Sequence, residues 1–114
     1  MNISFEGVGQ WGATFACADV EVGNVVQMKD NGTVGPCASG DTFAGVATHV
    51  GRDGAACTVA LGGAVTCAYS GTAPTAGWNK LSADGNGGVS VNSAGHDYLV
   101  LDVDEAAGKV AFVL

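Results

Sequence analysis

Glycine sets the terms for this chain. Its 114 residues include 19 glycines spread from end to end. Between them the apolar residues alternate at period two, and no apolar stripe recurs at helical spacing. A glycine inside a helix costs about 1 kcal/mol relative to alanine, so the glycines read as turns punctuating short strands. Apolar residues make up 47% of the chain and charged residues 13%, a balance that belongs to a folded domain and not to a disordered tail. The length fits one domain with a single modest core.

Charge excludes two classes of partner. The formal net charge is −7, and the four basic residues, Lys29, Arg52, Lys80 and Lys109, stand singly along the chain. Nucleic-acid binding needs clustered positive charge to displace counterions from phosphates, so none is expected here. The same acidity argues against an anionic membrane surface, and no apolar run approaches the roughly 18 residues of a spanning helix. The opening "MNISFEG" has neither the basic nor the apolar region of a secretory leader, which points to synthesis in a cytosol with reduced cysteines, unless a leader was trimmed.

Three motifs invite a chemical reading. "GVGQWG" at Gly7 to Gly12 matches Gly-x-Gly-x-x-Gly, but a dinucleotide cradle needs a strand before the glycines and a helix after them. The following "ATFACADVEVGNVV" has no helical stripe, and Asp30, near the right distance for a ribose contact, sits in a "DNG" turn. The segment reads as a glycine-rich N-terminal arm over residues 1–20, and no cofactor is expected. The cysteines, Cys17, Cys37, Cys57 and Cys67, form no Cys-x-x-Cys pair; they read as small buried apolar residues, not zinc ligands. His49 lies near Arg52 and Asp53, and His96 beside Asp97, but neighbours in a strand point to opposite faces and no nucleophile stands in an elbow, so no catalytic residue is assigned. Asp102, Asp104 and Glu105 lack the loop pattern of a calcium site and read as a solvated turn.

The expected fold is all-β, a small barrel or sandwich. In "ACTVALGGAVTCAY" matching the apolar faces pairs Leu61 with Val65, Val59 with Cys67 and Cys57 with Tyr69 around a Gly62-Gly63-Ala64 turn. That register leaves Cys57 and Cys67 diagonal and unbridged. A second hairpin closes the chain: Leu99, Leu101 and Val103 share a face, and Val110, Phe112 and Leu114 return after the Glu105 to Gly108 turn. The order of elements occurs twice. "GNVVQMKDNGTV" resembles "GWNKLSADGNGGV", and each is followed by an apolar strand ("FAGVATHV", "YLVLDV") and a second ("CTVAL", "KVAFVL"). The units span about 23–61 and 77–114 of a β-domain covering residues 21–114, joined through "VTCAYSGTAPTAG".

Gly23-Asn24-Val25-Val26, Phe43-Ala44-Gly45-Val46-Ala47, Val59 to Val65 and Ala76-Gly77-Trp78 running to Ala83-Asp84-Gly85 carry a family pattern. Over roughly residues 20–114 the chain is similar to the small β-rich decoration, or cement, proteins of tailed-phage heads. Two features depart from that pattern: Tyr98-Leu99-Val100-Leu101 replaces a second Gly-Val-Ala signature, and the first 20 residues are private to this chain. The resemblance implies a non-enzymatic virion protein, made in the bacterial cytoplasm and carried on the capsid exterior. It would clamp neighbouring major-capsid subunits, often as a homotrimer over a local threefold axis. Trp11, Phe15 and Phe5 are the candidate contacts, since large aromatics anchor in partner pockets; Trp11 and Phe15 could equally fold back on their own core. Trp78 is expected inside. The competing reading is a carbohydrate-binding module in which Trp11, Trp78 and Tyr69 form a platform.

Overall fold

A computed structural model describes residues 8–114. These residues are all-β, with ten strands in two closed five-stranded sheets. The first barrel holds β1 (Trp11–Cys17), β2 (Val25–Asp30), β3 (Thr33–Pro36), β4 (Gly45–Val50) and β5 (Ala56–Gly62), in the order β1-β3-β2-β4-β5. The second holds β6 (Ala64–Ser70), β7 (Gly77–Ala83), β8 (Val89–Val91), β9 (His96–Asp104) and β10 (Lys109–Val113). Its order, β6-β8-β7-β9-β10, is the same one, and each pairing keeps its sense: first with third parallel, the others antiparallel.

The doubled pattern in the sequence is therefore a doubled barrel, with longer units than the pattern outlined. Residues 11–17, expected in an arm, form β1 and pair with β5 from Trp11↔Gly62 to Ala16↔Ala56. The expected hairpin between "CTVAL" and "AVTCAY" does not form. The edges of β5 are taken by β1 and β4, and those of β6 by β10 and β8. Matching faces could not reveal this, because a strand whose apolar face suits one neighbour suits any other. Gly63 (φ 85) turns the chain between the barrels, lying so close to the backbone of Gly9 and Gln10 that no Cβ would fit. Cys57 and Cys67 are unbridged as expected, and all four cysteines are free and buried. The two residues belong to different barrels and not to one hairpin.

The last hairpin forms as expected at its turn end, with Val103 opposite Val110. A bulge between Ala111 and Phe112 then moves Val100, not Leu101, opposite Phe112. Val100 is buried while Leu99 and Leu101 are only partly covered. One extra residue has thus exchanged the inner and outer faces of β9 over half its length.

Two apolar clusters hold the fold. One fills the first barrel with Cys17, Val20, Val26, Val34, Ala47, Cys57 and Val59. The other crosses between barrels, joining Val25, Phe43, Val46 and Ala60 of the first to Val65, Leu81, Val100 and Phe112 of the second. Phe43 is its keystone: its ring stacks on Tyr98 at 5.1 Å and meets Phe112 edge-on at 6.0 Å. Main-chain hydrogen bonds reinforce the junction, from Val25 N–H to Gly87 O (2.9 Å), from Gly40 N–H to Ala83 O (2.8 Å) and from Ala83 N–H to Asp41 O (3.0 Å). Phe43→Ala should cost about 3–5 kcal/mol, the range for a buried phenylalanine, and should uncouple the barrels into two urea transitions where the parent shows one. A single transition displaced by less than about 1 kcal/mol would mean that other contacts join the barrels.

Candidate binding surface

Closed barrels send alternate residues outward, and these outward positions are what the fold presents to a partner. On β7 the buried Leu81 and Ala83 set the inward parity, so Lys80 and Trp78 point out. Trp78 is 72% exposed, against the expectation that it packs inside. Residue type had suggested burial; counting back from Leu81 by twos gives the observed answer. Register places Leu99 of β9 beside Trp78, and Val113 of β10 beside Leu99. Both are half-buried. Trp78, Leu99 and Val113 thus form an apolar row across three strands of the second barrel. From the sequence Leu99 was expected on one face with Leu101 and Val103, and the β9–β10 bulge that moves it leaves no mark there; Val113 was not singled out.

The other candidates divide. Trp11, at the start of β1, is 61% exposed, and its indole comes close enough to Gly62 to exclude a Cβ at that position. Phe15 is half-buried against the core of the first barrel. Phe5 lies outside the described residues. Tyr69 packs against the shared core, so it does not form a platform with Trp78.

Carboxylates mostly serve turns. Asp104 Oδ1 accepts the Ala107 N–H (3.1 Å), which makes the Asp102 to Glu105 run the end of a capped turn. Asp84 Oδ1 accepts the N–H groups of Asn86 (2.7 Å) and Gly88 (3.1 Å), and Oδ2 accepts the Ser70 hydroxyl. His49 and His96 are exposed, on strands of different barrels. Asp97, the sequence neighbour of His96, instead pairs with Lys80 at 3.3 Å. Of the opening glycines within the described residues, Gly9 precedes β1 and Gly12 lies in it, so a strand and not a helix follows Gly9. Among the described residues, no three His, Cys, Asp or Glu side chains are grouped to hold a metal ion.

An open polar cleft of about 780 Å³ runs along the junction of the barrels, lined by Asp19, Glu21, Asn24, Asp53, Asn86 and Gly87 among others. Its carboxylates and amides give it an acidic, hydrogen-bonding character. Asp19 sits there at φ 60, a conformation uncommon outside glycine and asparagine.

The cysteines are buried, and burial favours the neutral form of three of them, Cys37, Cys57 and Cys67. Burial pushes Cys67 up to about 12, helped by the charge of Asp84, and pushes Cys37 up to about 11, helped by Asp41. Cys57 is also raised to about 11, first by burial and then by the hydrogen bond and proximity of Cys17. A thiol whose folded value lies above its ordinary 9.0 adds stability that is complete below pH 9 and is lost as pH climbs toward 11–12. The urea midpoint should therefore fall between pH 8.5 and 10.5, and Cys37, Cys57 and Cys67 should react with a disulfide reagent only on unfolding. Rapid labelling of these three in the native protein at pH 8 would contradict that description.

Compared with known proteins, the chain matches no protein family and no characterised relative.

Proposed function

We propose that this chain is a structural binding protein that decorates the outside of a phage capsid and stabilises the head, with the major capsid protein as its partner. The row Trp78, Leu99 and Val113 carries the reading. A mostly exposed indole continued by two half-buried aliphatic side chains is the kind of surface that anchors in a partner's pocket. The similarity to decoration proteins supplies the partner's class. The net charge of −7 suits a protein that must settle on a shell without adhering to the genome inside it. Copies on a symmetric lattice need only modest interfaces each, because the shell presents its sites repeatedly.

A second reading draws on the same indole. An exposed tryptophan can also stack on a sugar ring, as in a carbohydrate-binding module, although the expected third platform member, Tyr69, is packed against the core. Co-sedimentation separates the two. The protein should pellet with expanded heads of the phage that encodes it, and Trp78→Ala should weaken that binding at least 30-fold, the loss expected of an anchor worth about 2 kcal/mol or more. The substituted position is exposed, so its stability should change by less than about 0.5–1 kcal/mol. Failure to bind such heads, together with a defined hit on a glycan array abolished by Trp78→Ala, would replace the capsid reading with the carbohydrate one.

A further inference from the structure

We infer that two copies of this chain pair edge to edge through β1, antiparallel, about a local twofold axis at Ala13. The inference does not depend on the capsid reading. In each barrel the first strand is held along one side by the last strand, but on the other side it meets the third strand over only two residue pairs, Ala16↔Thr33 and Cys17↔Val34 in β1, Tyr69↔Val89 and Ser70↔Ser90 in β6. Among the described residues, the outer edge of each first strand is therefore left without a strand neighbour over its opening residues.

In the second barrel the chain covers that edge. Ala64 donates its N–H to Val8 O (2.8 Å), and its carbonyl accepts the side-chain amide of Gln10 (3.2 Å). The first barrel has no such cover among the described residues. Cys17 N–H bonds Ala55 O, and Tyr69 N–H bonds Gly108 O, each reaching the turn before the last strand of its barrel; this aligns Cys17 with Tyr69, and hence Gly12 with Ala64. Cys17 faces β5, whereas Ala16 N–H turns the other way to Gly32 O. By alternation, Gly12 and Thr14 also present their N–H and C=O groups away from β5. Residues 11–14 are all exposed.

Proteins usually blunt such an edge with a charge, a proline or a bulge. "WGATF" has no charge and no proline, and the irregularity of its pairing with β5 falls before Gly12. The stretch is also complementary to itself. Pairing about Ala13 sets Gly12 against Thr14 of the partner subunit, so the two outward residues exchange both their hydrogen bonds, and symmetry repeats the exchange. Ala13 meets its own copy on the axis, where a narrow pair in which the two residues share no hydrogen bond favours small side chains. Trp11 comes opposite Phe15 of the partner subunit, twice, as a cross-strand aromatic pair. This register gives a use to an indole that the fold leaves 61% exposed.

Light scattering on the full chain at tens of micromolar tests this. The parent should show twice the chain mass of 11.2 kDa, and Ala13→Lys, which sets two like charges on the axis at an exposed position, should halve it with an unchanged circular dichroism spectrum. Ala13→Cys should form a crosslinked dimer under mild oxidation, while Ala107→Cys, in the exposed turn before β10, and the parent should not. A monomeric parent would overturn the pairing, whether residues 1–7 or a strand from another protein occupies the edge. So would an oligomer whose mass is indifferent to Ala13→Lys, or Ala13→Cys that fails to crosslink.

Discussion

Each barrel closes through a parallel contact only two residue pairs long, between its first and third strands, and the rest of the molecule follows from that closure. Without it, each set of five strands would be an open sheet with a wet inner face. With it, Val26, Val34, Val59 and Cys57 enclose one interior, and Val65, Leu81, Val89 and Phe112 line the other. Short closing ladders also explain why the chain is rich in glycine. Short strands that must bend around a narrow barrel need frequent tight turns, and a backbone that comes as close as that of Gly63 to Gly9 and Gln10 tolerates no side chain. Closure turns every second residue outward on a rigid frame, which lets Trp78 be exposed without loosening anything beneath it.

Fold class and the doubled order of elements were legible in the sequence because both rest on period-two alternation and on turn residues, which are local signals. The turn at Glu105 to Gly108 was readable for the same reason. Bulges were not: the shift at Ala111/Phe112 costs no residue type and shows only as a buried Val100 flanked by half-covered leucines. Choice of neighbour was not readable either. "CTVAL" and "AVTCAY" are separated by a hairpin-like turn, yet each closes its own barrel, a consequence of pairings with strands far away in sequence. Trp78 is a different case, since its outward parity follows from Leu81 and needed only counting. Trp11 is exposed, but it was read as a candidate contact, or as folded back on the core, from its surroundings in an arm and not from its place on β1.

The register allows the two barrels to be compared position by position. Val34 of β3 and Val89 of β8 are buried counterparts, which aligns Met28 with Ala83 and Val26 with Leu81. Across to the fourth strands, Val26 faces Gly45 and Leu81 faces His96, so the pair Val25–Val46 in the first barrel corresponds to Lys80–Asp97 in the second. On this alignment Trp78 corresponds to Gly23, one place away from the Gly23–Gly77 match that the sequence similarity suggests. The glycine-strand-turn pattern repeats, but its glycine sits one step earlier relative to the β7 ladder than to that of β2.

That correspondence exposes one difference between the two barrels. In the first barrel the outward pair Val25 and Val46 is buried at 1% and 3% exposure, because it packs into the core shared with the second barrel, next to Phe43. The equivalent pair in the second barrel is an ion pair with half or more of each side chain exposed, Lys80 and Asp97 at 3.3 Å. Packing the equivalent face of the second barrel as the first packs its own would bury both charges. Removing an ion pair from water costs several kcal/mol per ion, which the attraction between the two charges repays only in excellent geometry. The same outward face is therefore buried in one copy of the unit and solvated in the other, with two differences in register, Val25 against Lys80 and Val46 against Asp97, setting them apart. Beside that ion pair lies the exposed Trp78, with the half-buried Leu99 opposite it, so the second barrel keeps an apolar row next to charges where the first has buried its valines.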